Sequence, residues 1–79
     1  MRLRTPVHEE LARHGLDPGP EDTPETLRER LNDAYLVEVR RLRERQVAGE
    51  VALRDYARHV QALKERYPLL GLPLALWTE

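Results

Sequence analysis

The 79-residue chain contains no cysteine, serine, isoleucine or phenylalanine. Without cysteine it has no disulfide and no thiol nucleophile, and without serine it has no Ser-His-Asp hydrolase site. Lysine occurs only at position 64, whereas arginine is abundant, and the amide residues are limited to Asn32, Gln46 and Gln61. This composition is typical of a GC-rich genome and is thermophile-like, since thermolabile amides and cysteine are reduced.

Charge is abundant but balanced in this sequence. Charged residues make up 34% of the chain, and the formal net charge is −1. A nucleic-acid-binding domain of this size usually carries a clear basic excess, so nucleic acid is not the expected partner. So short a chain buries a modest share of its surface, and its stability then requires good helix packing or self-association.

The hydropathy pattern predicts neither a membrane span nor a signal peptide. The longest apolar stretch, 69–77, is far shorter than the roughly 20 residues that a spanning helix needs, and Gly71 and Pro73 interrupt it. Residues 1–6 lack the apolar segment of a signal peptide. We therefore expect a cytoplasmic protein with no membrane contact.

Turn and cap signals divide the chain into helices. A Thr-Pro pair at 5–6 predicts a first helix over 6–14, with threonine as its N-cap and Gly15 ending it in a Schellman motif. After a proline-rich turn, a second Thr-Pro pair at 23–24 predicts a second helix over 24–47.

Gly49 predicts a sharp turn between the second helix and a third over 51–67, which Pro68 ends. The sequence therefore predicts a single all-α domain, built from a short N-terminal helix, a long antiparallel two-helix hairpin and an apolar C-terminal arm over 69–77. In the expected hairpin core, the stripe of Leu53, Tyr56, Val60, Leu63 and Tyr67 packs on Leu27, Leu31, Tyr35, Val39 and Leu42.

The apolar arm is the most distinctive functional feature of the sequence. An arm this apolar is expected either to complete the core of its own chain or to contact another chain, with Trp77 as anchor, and the sequence leaves both open. The candidate interaction residues are Leu69, Leu70, Leu72, Leu74, Leu76 and Trp77.

The arginine-rich part of the second helix offers an alternative function. Its cations can contact nucleic-acid phosphates, although Glu38 and Glu44 are spaced to pair with them along the helix. The candidate nucleic-acid residues are Arg40, Arg41, Arg43 and Arg45.

Metal and cofactor sites are not expected. His8-Glu9 begins like a zinc-protease motif, but position 12 is alanine, and Asp55 with His59 provides only two ligands. No residue set typical of an enzyme active site is evident, so we expect no catalysis.

The segment from Leu42 to Leu63 resembles the SHOCT type of short bacterial helical hairpin. The similarity lies in Gly49, in Val51-Ala52 and in Asp55-Tyr56, although Ala52 replaces the usual threonine cap. This resemblance implies an interaction or oligomerisation element rather than an enzyme.

The second helix is also similar to the first helix of all-helical chorismate mutases, through Leu27-Arg28, Leu31-Asn32, Leu42 and Arg45. That resemblance implies that Arg28 and Arg45 bind substrate carboxylates in a small helical enzyme. Tyr56 lies near the position of that family's catalytic lysine, which is a departure from the family pattern. The favoured hypothesis therefore remains an interaction module, as a homodimer or a small accessory subunit.

Overall fold

A computed structural model describes all 79 residues and has an all-helical fold. Helix α1 spans Thr5–Arg13, α2 spans Pro24–Val47 and α3 spans Leu53–Glu65. Two short 3-10 turns, Pro68–Gly71 and Leu74–Leu76, form the C-terminal arm. The predicted all-α hairpin is confirmed, and α3 is two residues shorter at each end than the sequence predicted.

The two Thr-Pro pairs start helices in different ways. Thr23 is the N-cap of α2, and its hydroxyl and backbone N–H exchange hydrogen bonds of 3.2 and 2.8 Å with Thr26. The prediction of Thr5 as N-cap is wrong, because Arg4 holds that position and Thr5 is the first helical residue. The Arg4 N–H is bonded to the Trp77 carbonyl at 3.0 Å, which keeps Arg4 extended until the helix begins.

Glycines end α1 and α2 as the sequence predicted. Gly15 and Gly49 have φ angles of +72° and +85°, which side-chain-bearing residues rarely adopt. Around Gly49, the Glu50 N–H donates to the Arg45 carbonyl at 2.9 Å, which is the long hydrogen bond of a Schellman motif. The chain reverses directly after this bond, so α2 and α3 pack as an antiparallel hairpin.

The core lies at one end of the hairpin, which we call the base. The C-terminal arm folds back there within its own chain, and Trp77 is completely buried. Backbone hydrogen bonds from Arg4 to Trp77 and from Glu79 to Arg2 tie the two chain ends together. The core consists of Val7, Leu11, Leu27, Leu31, Leu63, Tyr67, Leu69 and Trp77.

One residue of the predicted hairpin core is misplaced. The sequence predicts that Leu53 packs on α2, but this side chain is 73% exposed, whereas Val51 is buried in the connection before α3. Leu53 precedes Leu63 by ten residues, so it lies about a quarter of a turn away from the stripe that faces α2. The Val51 N–H bonds the Arg45 carbonyl at 3.3 Å, which draws the connection back onto α2.

The molecule is elongated, with extents of 44 × 19 × 17 Å. Helix α1 and the arm pack around the base, so the outer half of the hairpin extends beyond them as two helices alone. No helix combines the length and the apolar character needed to cross a bilayer.

Candidate functional site

The outer half of the hairpin has two unlike faces. Val39 and Arg41 are two residues apart and therefore point to nearly opposite sides of α2. Val60 and Ala62 have the same relation on α3. One face is consequently cationic and the other apolar, although both are built from the same two helices.

The cationic face is a groove of about 380 Å³ between α2 and α3. Arg41 and Arg45 line one wall, and His59 and Arg66 line the other. Glu38 is the only carboxylate in the lining. The complete lining of this cationic groove is Glu38, Arg41, Leu42, Arg45, His59, Ala62, Leu63 and Arg66.

The opposite side of the hairpin, here called the apolar face, is formed by Tyr35, Val39, Leu53, Tyr56 and Val60. Leu53 is largely exposed, and the other four side chains are half-buried. Helical spacing puts these residues on one side, since Tyr35 and Val39, like Tyr56 and Val60, are four residues apart.

A polar cluster joins all three helices beside the groove. The Tyr67 hydroxyl donates a 2.6 Å hydrogen bond to Glu38, and Arg66 contacts the same carboxylate at 3.4 Å. The His14 ring stacks on Tyr67 with 4.1 Å between centroids. Its Nε2–H donates to the Arg66 carbonyl at 2.8 Å, which fixes the tautomer because a carbonyl only accepts.

This environment changes the acidity of Tyr67. Burial of the phenol and its hydrogen bond to Glu38 raise the pKa of Tyr67 from 10.0 to about 12. Both causes favour the neutral phenol, since a phenolate would be poorly solvated and would face the Glu38 carboxylate. Tyr67 therefore acts here as a neutral hydrogen-bond donor that holds Glu38 in place.

Asp22 organises the linker before α2. The Gly19 N–H donates to its carboxylate at 2.7 Å, the Thr26 hydroxyl at 3.2 Å and Arg30 at 3.1 Å. The backbone hydrogen bond from Gly19 is the main cause of the lowered pKa of Asp22, and Thr26 and Arg30 lower it further. Its partners are all local, so this carboxylate has a structural role in the linker.

The candidate interaction residues of the arm lie mostly inside the fold. Leu69 and Trp77 are buried in the core, and the Trp77 Nε1–H donates to the Leu72 carbonyl at 3.1 Å. Leu70, Leu72 and Leu74 are half-buried, while Leu76 is 43% exposed. The arm thus completes the core in cis, which the sequence had left open.

The four candidate nucleic-acid arginines divide between two surfaces. Arg41 and Arg45 line the cationic groove, whereas Arg40 and Arg43 lie on the outer side of α2 with Glu44. A carboxylate therefore lies among the outer pair, and the four guanidinium groups do not form one continuous stripe.

The two arginines singled out by the chorismate mutase resemblance do not share a pocket. Arg28 donates to the Leu70 carbonyl at 3.2 Å near the base. Arg45 lies seventeen residues further along the same helix, about 25 Å away, and pairs with Glu50 at 3.4 Å. One small dianion cannot bridge that distance.

Sequence reasoning missed the α3 wall of the groove. The sequence pattern suggests His59 only as a metal partner of Asp55, but Asp55 pairs with Arg58 at 3.1 Å and His59 faces the groove. Arg66 was not singled out. The seven-residue spacing of His59 and Arg66, with a small residue at position 62 between them, is the signal that identifies this wall.

Comparison with known proteins identifies no relative: no family model matches the sequence, and no characterised protein or solved structure is detectably similar to it.

Proposed function

We propose that the protein is a protein–protein interaction module that self-associates through the apolar face of its hairpin. One observation carries the proposal. The outer half of the hairpin is two helices thick, and Leu53 at its surface is 73% exposed. Neither α1 nor the arm covers this half, so Leu53 and the exposed parts of Val39, Tyr56 and Val60 face water.

A second copy of the chain is the occupant that suits this face. Two hairpins packed face to face form a four-helix arrangement, in which each hairpin covers the other's apolar residues. A two-fold interface uses the same surface twice, so it needs no complementary site elsewhere. The SHOCT resemblance, which implies an oligomerisation element, agrees with this proposal.

The expected dimer is weak and concentration-dependent. Trp77 is fully buried within one chain, so the arm already packs in cis and the proposed dimer contact falls to the apolar face. The apolar face is about 18 Å long and about 18 Å wide, so two such faces bury roughly 650 Å² in total, which is the size of a weak, transient contact. We therefore expect a dissociation constant of about 1–100 µM.

Sedimentation equilibrium across that concentration range tests the proposal. Wild-type protein is expected to shift from monomer to dimer, and Leu53→Glu is expected to stay monomeric, because it places a charge in the interface. Val47→Glu is the matched control: Val47 is 75% exposed but lies on the outer side of α2.

Two results contradict the proposal. If the wild-type chain stays monomeric across the whole concentration range, it does not self-associate and the proposal is wrong. If Leu53→Glu and Val47→Glu weaken the dimer equally, or if neither weakens it, another surface forms the dimer. Circular dichroism of both variants confirms that the glutamates leave the fold unchanged.

A further inference from the structure

We infer that the cationic groove between α2 and α3 is a binding site for a small organic phosphate, a phosphate monoester with a flat apolar body. The groove lies on the side of the hairpin away from the apolar face. Its occupancy is therefore independent of self-association, and each can fail without the other.

The first support is the separation of charge. The whole chain has a net charge of −1, yet the groove collects the guanidinium groups of Arg41, Arg45 and Arg66 around a single carboxylate. That carboxylate, Glu38, already accepts hydrogen bonds from Tyr67 and Arg66. The lining consequently keeps a local positive excess.

The second support is the availability of the arginines on the α2 wall. Arg41 takes part in no salt bridge, and Arg45 has only the exposed Glu50 as a partner at 3.4 Å. An exposed pair of this kind contributes little and is readily exchanged for a stronger anion. Both guanidinium groups are therefore free to turn toward a ligand.

The third support is the shape and chemistry of the floor. Leu42 and Leu63 are buried beneath the groove, and the small side chain of Ala62 lies between His59 and Arg66. A flat apolar group can rest on this floor while the arginines on both walls contact an anion. A volume of about 380 Å³ is within the range of small-molecule sites.

Phosphate suits the walls better than a carboxylate does. A guanidinium group presents parallel N–H donors that match two oxygens of one anion, and a phosphate monoester has three terminal oxygens. Arginines on two facing walls can therefore bind different oxygens of one phosphate group. A carboxylate has only two oxygens, so it can bind the arginines of one wall but has no further oxygen for those of the other.

The test is an NMR titration of the full chain with phenyl phosphate and, separately, with inorganic phosphate. We expect saturable amide shifts at the groove residues, with phenyl phosphate binding more tightly than inorganic phosphate because its ring covers the apolar floor. The double variant Arg41→Gln/Arg45→Gln is expected to bind phenyl phosphate about tenfold more weakly.

Arg40→Gln/Arg43→Gln is the matched control. It removes the same charge from the same helix, but its side chains lie outside the groove on the surface shared with Glu44. We expect phenyl phosphate to bind this variant as it binds wild type. All four arginines are exposed, so neither pair is needed for folding.

Three outcomes overturn the inference. Equal weakening in both double variants indicates general charge attraction without a site. Shifts that do not saturate, or that fall outside the groove, exclude a phosphate site there. Binding of a single-stranded oligonucleotide without binding of phenyl phosphate assigns the arginines to nucleic acid instead.

A substitution that leaves the charge unchanged tests the floor. Ala62→Leu fills the space between His59 and Arg66, so the preference for phenyl phosphate over inorganic phosphate is expected to disappear while inorganic phosphate still binds. A preference that survives in Ala62→Leu contradicts the proposed position of the ring.

Discussion

The hydroxyl of Tyr67 donates a 2.6 Å hydrogen bond to the carboxylate of Glu38. Tyr67 follows the end of α3 and Glu38 lies in the middle of α2, so this contact fixes the two helices where the core ends and the open hairpin begins. The same bond holds Glu38 at the edge of the cationic groove. This one pair of side chains therefore contributes both to the stability of the fold and to the charge at the edge of the groove.

Tyr67→Phe is expected to lower the free energy of unfolding by about 1–2 kcal/mol, because the hydrogen bond to a charged acceptor is lost while the ring stays in place. Chemical denaturation measures the change. Tyr56→Phe is the control, since Tyr56 is half-buried outside this contact. Equal effects of the two substitutions contradict a special role for the Glu38 contact.

The raised pKa of Tyr67 makes stability depend on alkaline pH. The folded state holds the phenolic proton more tightly than the unfolded state, so this contribution is complete below about pH 10 and is lost as the pH rises to about 12. Denaturation midpoints of wild type are expected to fall more steeply across that interval than those of Tyr67→Phe. Parallel curves for the two proteins would show that Tyr67 has its ordinary pKa.

Trp77→Ala is expected to destabilise the protein by about 3–5 kcal/mol, because a completely buried indole is replaced by a cavity. A loss of this size removes much of the stability of so small a domain. Leu76→Ala, at a side chain that is 43% exposed, is expected to cost less than about 1 kcal/mol. Thermal unfolding followed by circular dichroism compares the two, and similar midpoints would contradict packing of the arm in cis.

Gly49→Ala is expected to cost about 1–2 kcal/mol, because alanine is strained at a φ of +85°. Gly71→Ala is the control, since Gly71 has no positive φ and an added methyl group there meets no atom within 4 Å. Urea denaturation of both variants measures the difference. A stable Gly49→Ala protein would mean that the turn after α2 adopts another conformation.

The sequence by itself determined the all-α class and the approximate ends of the helices. Those features depend on interactions between near neighbours, such as the Thr23 cap, the left-handed glycines at 15 and 49, and the stop before Pro68. Each signal acts within one turn of chain, so it can be recognised without knowing the fold. The SHOCT-type interaction role, drawn from the same short patterns, stays a prediction.

Only the tertiary structure decided where the arm packs and which side chains share a surface. The hydrogen bond from Arg4 to Trp77 joins opposite ends of the chain, and no local pattern specifies it. The rotation of α3 against α2 exposes Leu53 and brings His59 and Arg66 to face Arg41 and Arg45. Helical periodicity fixes which residues share one face of a helix, but the packing of whole helices determines which faces meet.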